Sequence, residues 1–92
     1  MSIVSSRFFQ DISRVEAENY VMNNDKIVLR RSYSVPGYFV LTFGYNSRPC
    51  HILLRENING TIDHILPNDI NTIYRSFSNL NILLSNYGNV IQ

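Results

Sequence analysis

Short apolar segments separated by turn residues fill the middle of the chain, and they constrain the fold more than any other feature. Four of these segments predict β-strands: residues 27–32, 38–43, 50–55 and, more weakly, 61–66. Between the first two lies Val35-Pro36-Gly37, in which proline and glycine suit the two central positions of a type II turn. The segments therefore predict an antiparallel sheet of three or four strands.

A capping box signals the first helix. Ser13 is a suitable N-cap, and Glu16, three residues later, can complete the reciprocal pair of hydrogen bonds. Apolar residues then recur at helical spacing as far as Asn23-Asn24-Asp25, where we expect the helix to end.

Helical spacing returns near the end of the chain. The leucines between 80 and 84 share one stripe with Tyr87, and Gly88 predicts the C-terminal stop. Residues 70–77 also fit helical spacing. The alternatives are one long helix from 70 to 87 and two pieces broken near 76–78, and we expect the two pieces. The order of elements predicts an α+β fold, with a central antiparallel β-sheet sandwiched between two α-helices.

Length, cysteine usage and charge narrow the function classes. The chain has 92 residues, which predicts a single domain over 1–92, and its one cysteine, Cys50, excludes an internal disulfide framework and fits a reducing compartment. No apolar run approaches the roughly 20 residues that span a bilayer, and we expect no secretory signal at the N-terminus. The net charge of +1 argues against duplex nucleic acid as a partner. We therefore expect a cytoplasmic protein with no membrane or nucleic-acid partner.

Arginines carry the basic charge, since seven of the eight basic residues are arginine and Lys26 is the only lysine. Strand alternation places Arg30 on the same sheet face as Val28, and helical spacing places Arg14 on the sheet-facing stripe of the first helix. The two guanidinium groups converge if that helix covers that face. No acidic residue is evidently placed to pair with both, and a buried arginine without an anion is costly. We therefore predict that the missing anion is a ligand.

Neighbouring polar residues fit an anion site. Ser32 and Ser34 offer hydroxyl groups, backbone N–H groups of the following turn can form a nest for an anion, and His51 reaches the same face if the strand register brings it opposite. Each residue also has an ordinary explanation: Arg30 can extend to water from its strand end, Arg14 can be an exposed residue of the first helical turn, the serines can serve the turn alone, and His51 can be a hydrogen-bonded core residue. Their convergence favours the anion site.

Five segments, in order and at suitable spacing, resemble the Src homology 2 (SH2) domain, the family that reads phosphotyrosine. FQDISRVEAE (9–18) resembles an aromatic residue followed by I-[ST]-R-x-E-A-E, and IVLRRS (27–32) resembles F-L-V-R-x-S. PGYFVLT (36–42) resembles G-x-Y-x-L-S, and HILL (51–54) resembles H-Y-x-I. FSNLNILL (77–84) resembles F-x-[ST]-L-x-x-L-[VI]. The resemblance covers nearly the whole chain.

The resemblance implies a role for each residue of the predicted anion site. Arg30 would be the arginine at the pocket floor that grips two phosphate oxygens, and Arg14 the helix arginine that clamps the phosphate and faces the ring. Ser32 and Ser34 would be donors of the phosphate loop, and His51 would line the pocket. The partner implied is a tyrosine-phosphorylated protein or peptide, with no cofactor and no metal, and we expect a monomer.

The chain departs from the family pattern at several positions. Arg7 stands near the place of the opening tryptophan, Leu53 where a basic residue is common, and Ile52 where an aromatic usually floors the first position after phosphotyrosine. The segment from about 62 to 76 is an insert, and the chain stops soon after the second helix, so we expect one wall of the downstream specificity pocket to be missing. The expected peptide contacts are Ile52, Leu53, Ile65, Leu66 and Ile70.

The insert has two possible roles. Its apolar residues can fold over the peptide as a lid, which predicts tight phosphotyrosine binding with weak preference for flanking sequence. Alternatively, they merely complete a small core.

Other function classes fit less well. Cys50 and His51 are adjacent on a strand and point to opposite faces, so they cannot form a nucleophile–base pair, and two histidines with one cysteine are too few for a zinc site. We therefore expect no enzyme. A single-stranded nucleic-acid binder and a degenerate SH2-like docking scaffold without phosphate binding are the alternatives. The many asparagine and isoleucine residues are compatible with an AT-rich genome, and hence with a bacterial effector acting in the host cytoplasm.

Overall fold

The computed structural model describes residues 2–24 and 26–91. The elements, in chain order, are α1 (Arg14–Asn24), β1 (Val28–Arg31), β2 (Phe39–Tyr45), β3 (Arg48–Glu56), β4 (Ile62–Leu66), β5 (Asp69–Phe77) and α2 (Leu80–Ile91). The strands form one antiparallel sheet in the order β1-β2-β3-β4-β5. Helix α1 packs against β1, β2 and β3, and α2 packs against β2 and β5. The predicted α+β fold, a sheet between two helices, is confirmed.

The N-terminus of α1 has the predicted capping box. The N–H of Ser13 donates to Glu16 Oε1 at 2.9 Å, and the N–H of Glu16 donates to Ser13 Oγ at 3.1 Å. The helix buries Ala17 and Val21 against Val28 of β1. It ends at Asn24, within the predicted stop at residues 23–25, and Asp25 lies outside the described residues.

The strand register divides the sheet into two faces of different character. Directly paired residues lie on the same face, so Arg30 shares a face with its partner Val40, and Thr42 shares that face with its partner His51. We call this side, which α1 covers in part, the α1 face. The intervening residues form the opposite α2 face, which carries the largest core cluster: Leu29, Leu41, Phe43, Ile52, Leu54, Ile62 and Phe77 with Leu80 and Leu83 of α2.

The turn between β1 and β2 fixes the loop that borders the site. Tyr38 N–H donates to Val35 O at 3.1 Å, and Gly37 has φ +87°, as the third residue of a type II turn requires. Two residues with positive φ, Asn46 and Ser47, make the tight turn between β2 and β3.

The prediction of a helical piece over 70–77 is wrong, because these residues form β5 and pair with β4 through a turn at Pro67 and Asn68. Two register shifts between His64 and Leu66 interrupt strict alternation, so the apolar spacing imitates a helix. The β-branched and aromatic residues of this segment favour the strand. The sheet therefore has five strands rather than three or four.

The predicted stop at Gly88 is also wrong, since α2 continues to Ile91. A glycine inside a helix costs about 1 kcal/mol relative to alanine, which does not by itself end the helix. At the other end, Asn79 caps α2, accepting a hydrogen bond from the N–H of Ile82 at 2.9 Å. Neither α1 nor α2 is long and apolar enough to cross a membrane, as judged over the described residues.

Candidate anion-binding site

A cavity of about 270 Å³ opens on the α1 face, between α1, the β1–β2 loop and the β4–β5 turn. Its lining combines cationic, hydroxyl and apolar groups: Arg14, Arg30, Ser32, Tyr33, Ser34, Val35, Val40, His51, Leu53 and Pro67. The cavity therefore brings together segments that are distant in the sequence, and its polar end contains two guanidinium groups.

Arg30 lies at the buried end of this cavity, with 4% of the residue exposed. Its Nε donates to Thr42 Oγ1, one terminal nitrogen donates to the main-chain oxygen of Arg31, and the other contacts His51 Nδ1, each at 3.3 Å. These partners are uncharged oxygens and an imidazole nitrogen. Within the described residues, no carboxylate lies at salt-bridge distance from this guanidinium.

The fixed geometry of Arg30 leaves part of its donor capacity unused. A guanidinium has five N–H donors, and three of them are used in the contacts above, so about two remain, one on each terminal nitrogen. Burial and, second, the nearby charge of Arg14 lower the pKa of Arg30, although an arginine side chain stays protonated at physiological pH. The site therefore holds a desolvated cation with unused donors.

His51 links Arg30 to a carboxylate on α1. Its Nε2 lies 2.7 Å from Glu18 Oε2, and its Nδ1 lies 3.0 Å from Thr42 Oγ1. A carboxylate accepts hydrogen bonds, so the network assigns the imidazole proton to Nε2 and leaves Nδ1 an acceptor for Thr42 and Arg30. Burial lowers the pKa of His51, and Arg14 and Arg30 lower it further, while the Glu18 carboxylate opposes them. The neutral imidazole is therefore favoured.

Arg14 reaches the cavity from the first turn of α1. Its side chain is 68% exposed, and its Nε donates to Glu18 Oε2 at 3.3 Å. An exposed pair at i,i+4 on a helix stabilises it by only about 0.3–0.5 kcal/mol. Arg14 can therefore exchange this contact for a ligand at little cost.

The loop after β1 contributes hydroxyl groups and is held in place by its own hydrogen bonds. Ser32 Oγ accepts the N–H of Val35 at 3.0 Å and lies 3.4 Å from Ser34 Oγ. The hydrogen bonds found among the described residues use neither the N–H of Tyr33 nor that of Ser34. These groups border the same cavity as the guanidinium of Arg30.

Apolar residues form the remaining wall. Val40 and Leu53 are buried side by side on paired strands, and Ile65 lies beside Leu53 and completes their cluster. Pro67, in the turn between β4 and β5, closes this side of the cavity. An anionic group at Arg30 could thus carry an aromatic ring along this wall.

The structure brings all five predicted phosphate-binding residues to one cavity: Arg14, Arg30, Ser32, Ser34 and His51. Among the predicted peptide contacts, Leu53 also lines the cavity, but Ile52 does not, because it lies on the α2 face within the core. Ile65 is fully buried, and the partly buried Leu66 and the exposed Ile70 are not part of the lining.

Several residues of the site were not predicted from the sequence. Glu18 lies one turn after Arg14, so the i,i+4 rule predicts their contact, and it pairs with Arg14 but not with Arg30. Thr42 follows Val40 by two residues and therefore shares its face. Tyr33 and Pro67 carried no sequence signal of their own.

Solved structures share this fold. The SH2 domain of the CRK/CRKL homologue of Monosiga brevicollis matches with a TM-score of 0.68 and 25% sequence identity, over 95% of this chain and 78% of that one. The SH2 domain of the human proto-oncogene protein VAV1 matches with a TM-score of 0.62 and 19% identity, over 95% of this chain and 59% of that one. No family model and no curated protein sequence matches. The three-dimensional comparison confirms the fold that the five sequence segments predict.

Proposed function

We propose that this chain, which is an SH2-like domain, is a docking module that binds phosphotyrosine in the cavity on its α1 face. One observation carries the proposal: Arg30 is buried, has unused donors, and has no carboxylate at salt-bridge distance among the described residues. A buried cation is costly unless an anion accompanies it. A ligand phosphate would supply that anion, and the module needs no catalytic group.

The cavity matches phosphotyrosine in charge and shape. The phosphate carries close to two negative charges at neutral pH and has three acceptor oxygens. Arg30 offers donors at the floor, Arg14 approaches from α1, and the serine loop lies at the rim. The apolar wall would contact the ring. Because Arg30 is deep, the shorter phosphoserine would place its phosphate too far from the floor.

We further propose that flanking sequence contributes little to binding. Two residues expected to contact the peptide beyond phosphotyrosine, Ile52 and Ile65, are buried in core clusters and have little or no surface to offer it. The β4–β5 hairpin extends the sheet and places Pro67 beside the cavity itself. Most of the affinity would then come from the phosphotyrosine side chain.

Titration with paired peptides tests the proposal. A peptide containing phosphotyrosine should bind, whereas the same peptide with tyrosine or phosphoserine should bind at least about 100-fold more weakly, since each charge-assisted hydrogen bond is worth about 1.5–3 kcal/mol. Free phosphotyrosine should compete with the phosphopeptide. Equal binding of the phosphorylated and unphosphorylated peptides would refute the proposal and favour the alternative, a docking scaffold without phosphate recognition.

A degenerate phosphotyrosine peptide library tests the second part. We expect affinities that vary little with the residues after phosphotyrosine. A sharp requirement at the third downstream position would show that a specificity pocket exists and that flanking residues matter.

A further inference from the structure

Glu18 contacts both Arg14 and His51, although it is not one of the five predicted phosphate-binding residues. One oxygen, Oε2, accepts hydrogen bonds from His51 Nε2 at 2.7 Å and from Arg14 Nε at 3.3 Å. The bond to His51 is the largest cause of the lowered pKa of Glu18, so the side chain is a carboxylate at neutral pH. The imidazole of His51 therefore links the Glu18 carboxylate to the buried guanidinium of Arg30.

We propose that Glu18 is a positioning residue for phosphotyrosine binding, which holds His51 in the tautomer that orients Arg30. The inference rests on the proposed function of the cavity, but its first step concerns His51 alone. Nothing in the arrangement requires Glu18 to touch the ligand.

Hydrogen-bond chemistry gives the reason. A neutral imidazole has one donor and one acceptor nitrogen, and a carboxylate only accepts, so Glu18 fixes the donor at Nε2. The acceptor Nδ1 then faces the Thr42 hydroxyl at 3.0 Å and a terminal nitrogen of Arg30 at 3.3 Å. With the other tautomer, an N–H at Nδ1 would point at the guanidinium donor, and that contact would be lost.

The charged and polar groups around His51 come from three elements. Glu18 and Arg14 face it from α1, Arg30 from β1, and Thr42 from β2. Glu18 is the only one of these that is negatively charged, and therefore the one that can demand a donor from the imidazole. The Thr42 hydroxyl can donate or accept, so it adapts to the tautomer of His51 that Glu18 fixes.

A simple charge argument predicts the opposite effect on affinity. If Glu18 acted only through its charge, it would repel the phosphate, and its removal would strengthen binding. If it acts through His51, its removal weakens binding even though the site becomes more positive. The sign of the change therefore separates the two.

The test uses Glu18→Ala and Glu18→Gln, with Glu16→Gln as the matched control. Glutamine can replace glutamate in a capping box, so the control loses the same charge on the same helix and keeps its cap. We expect Glu18→Ala to weaken binding of a phosphotyrosine peptide by about tenfold, the loss of roughly one hydrogen bond to a charged group. Glu18→Gln should fall between Glu18→Ala and the wild type, because its amide oxygen can still accept from Nε2. The control should bind like the wild type.

Nitrogen-15 NMR of the His51 ring gives a readout that simple loss of packing would not produce. In the wild type the proton should be on Nε2, and in Glu18→Ala a substantial fraction should move to Nδ1. Unchanged or tighter binding by Glu18→Ala, or a wild-type proton on Nδ1, would overturn the inference. A wild type that binds no phosphotyrosine would refute the proposed function instead, while the ring measurement would still decide whether Glu18 sets His51.

Discussion

Two polar clusters on the α1 face each contain an arginine and its hydrogen-bond partners, but only one of them contains a carboxylate. The pocket cluster consists of Arg30, Thr42 and His51, and the hairpin cluster consists of Arg55, Asn57, Asp63 and Ser76. In the hairpin cluster the carboxylate is internal, since Asp63 lies on β4 directly opposite Arg55 of β3. In the pocket cluster the buried guanidinium contacts only uncharged groups of the described residues.

The carboxylate of the hairpin cluster is paired through both of its oxygens. Asp63 Oδ2 accepts from Arg55 at 2.8 Å and from Asn57 at 3.0 Å, while Oδ1 accepts from Ser76 Oγ at 2.6 Å. Its three partners come from β3, the loop that follows it, and β5, so the carboxylate ties both sides of the hairpin to the rest of the sheet. These hydrogen bonds lower the pKa of Asp63 in spite of its burial.

The difference separates stability from binding. A buried carboxylate that is paired with its neighbours holds strands together, and the arginine beside it already has its anion. A buried arginine that lacks its anion adds little to stability, but it leaves a place for one. If this comparison is right, removing Arg30 should weaken binding and spare stability, whereas removing Asp63 should lower stability and spare binding.

The largest expected effect is on binding by Arg30→Leu. Losing two charge-assisted hydrogen bonds at about 1.5–3 kcal/mol each should weaken phosphotyrosine binding at least about 100-fold. Calorimetric titration with a phosphotyrosine peptide measures it.

The same substitution should change the free energy of unfolding by less than about 1 kcal/mol, because replacing a buried, incompletely paired charge with an apolar group is often neutral. Thr42 and His51 keep their mutual hydrogen bond. Urea unfolding measures this. A large loss of stability would mean that Arg30 is a structural residue, and the comparison would fail.

Asp63→Ala should do the reverse. It leaves Arg55, Asn57 and Ser76 without their acceptor, and we expect the free energy of unfolding to fall by about 2–3 kcal/mol. This is below the cost for a fully buried pair, because the Arg55 side chain is 33% exposed and can turn to water. Affinity for phosphotyrosine, measured on the folded protein, should remain within about twofold of the wild type.

Asp69→Asn is the matched control. It also removes a carboxylate from the hairpin, but Asp69 is exposed and bonded only to its near neighbours Asn71 and Thr72 among the described residues. We expect a change in unfolding free energy of less than about 0.5 kcal/mol. Equal losses in the two variants would show that the charge, and not the network, matters.

The two clusters also show what can be predicted from the sequence. The pocket cluster depends on alternation within short strands joined by tight turns, and Arg30 and His51 follow from those rules once the register is known. The hairpin cluster depends on β5, whose apolar spacing imitates a helix because the register shifts near Ile65. A local pattern could not reveal a contact such as that between Asp63 and Ser76, which exists only when β4 and β5 pair.

The smallest expected effect is on the pH dependence of stability, and it compares two buried histidines. Burial lowers the pKa of His51 in the pocket cluster and of His64, whose Nδ1 contacts the hydroxyl of Tyr87 on α2. In the unfolded chain both have a pKa near 6.5. Below that pH the unfolded state binds more protons than the folded state, so the free energy of unfolding should fall as pH decreases from 7 and level off below the folded pKa values.

Urea unfolding between pH 7 and pH 5 measures this loss, in a window where carboxylates with lowered pKa, such as Asp63, stay ionised. His64→Gln should remove the part of the pH dependence of the unfolding free energy that is due to His64 and leave the part due to His51. Phosphotyrosine binding should distinguish them further: protonation of His51 places an N–H against Arg30 and weakens binding, whereas His64 lies on the α2 face and has no route to the phosphate. If the stability of His64→Gln rises toward pH 5, the folded state favours the charged imidazole of His51, and the acceptor role of its Nδ1 could not hold.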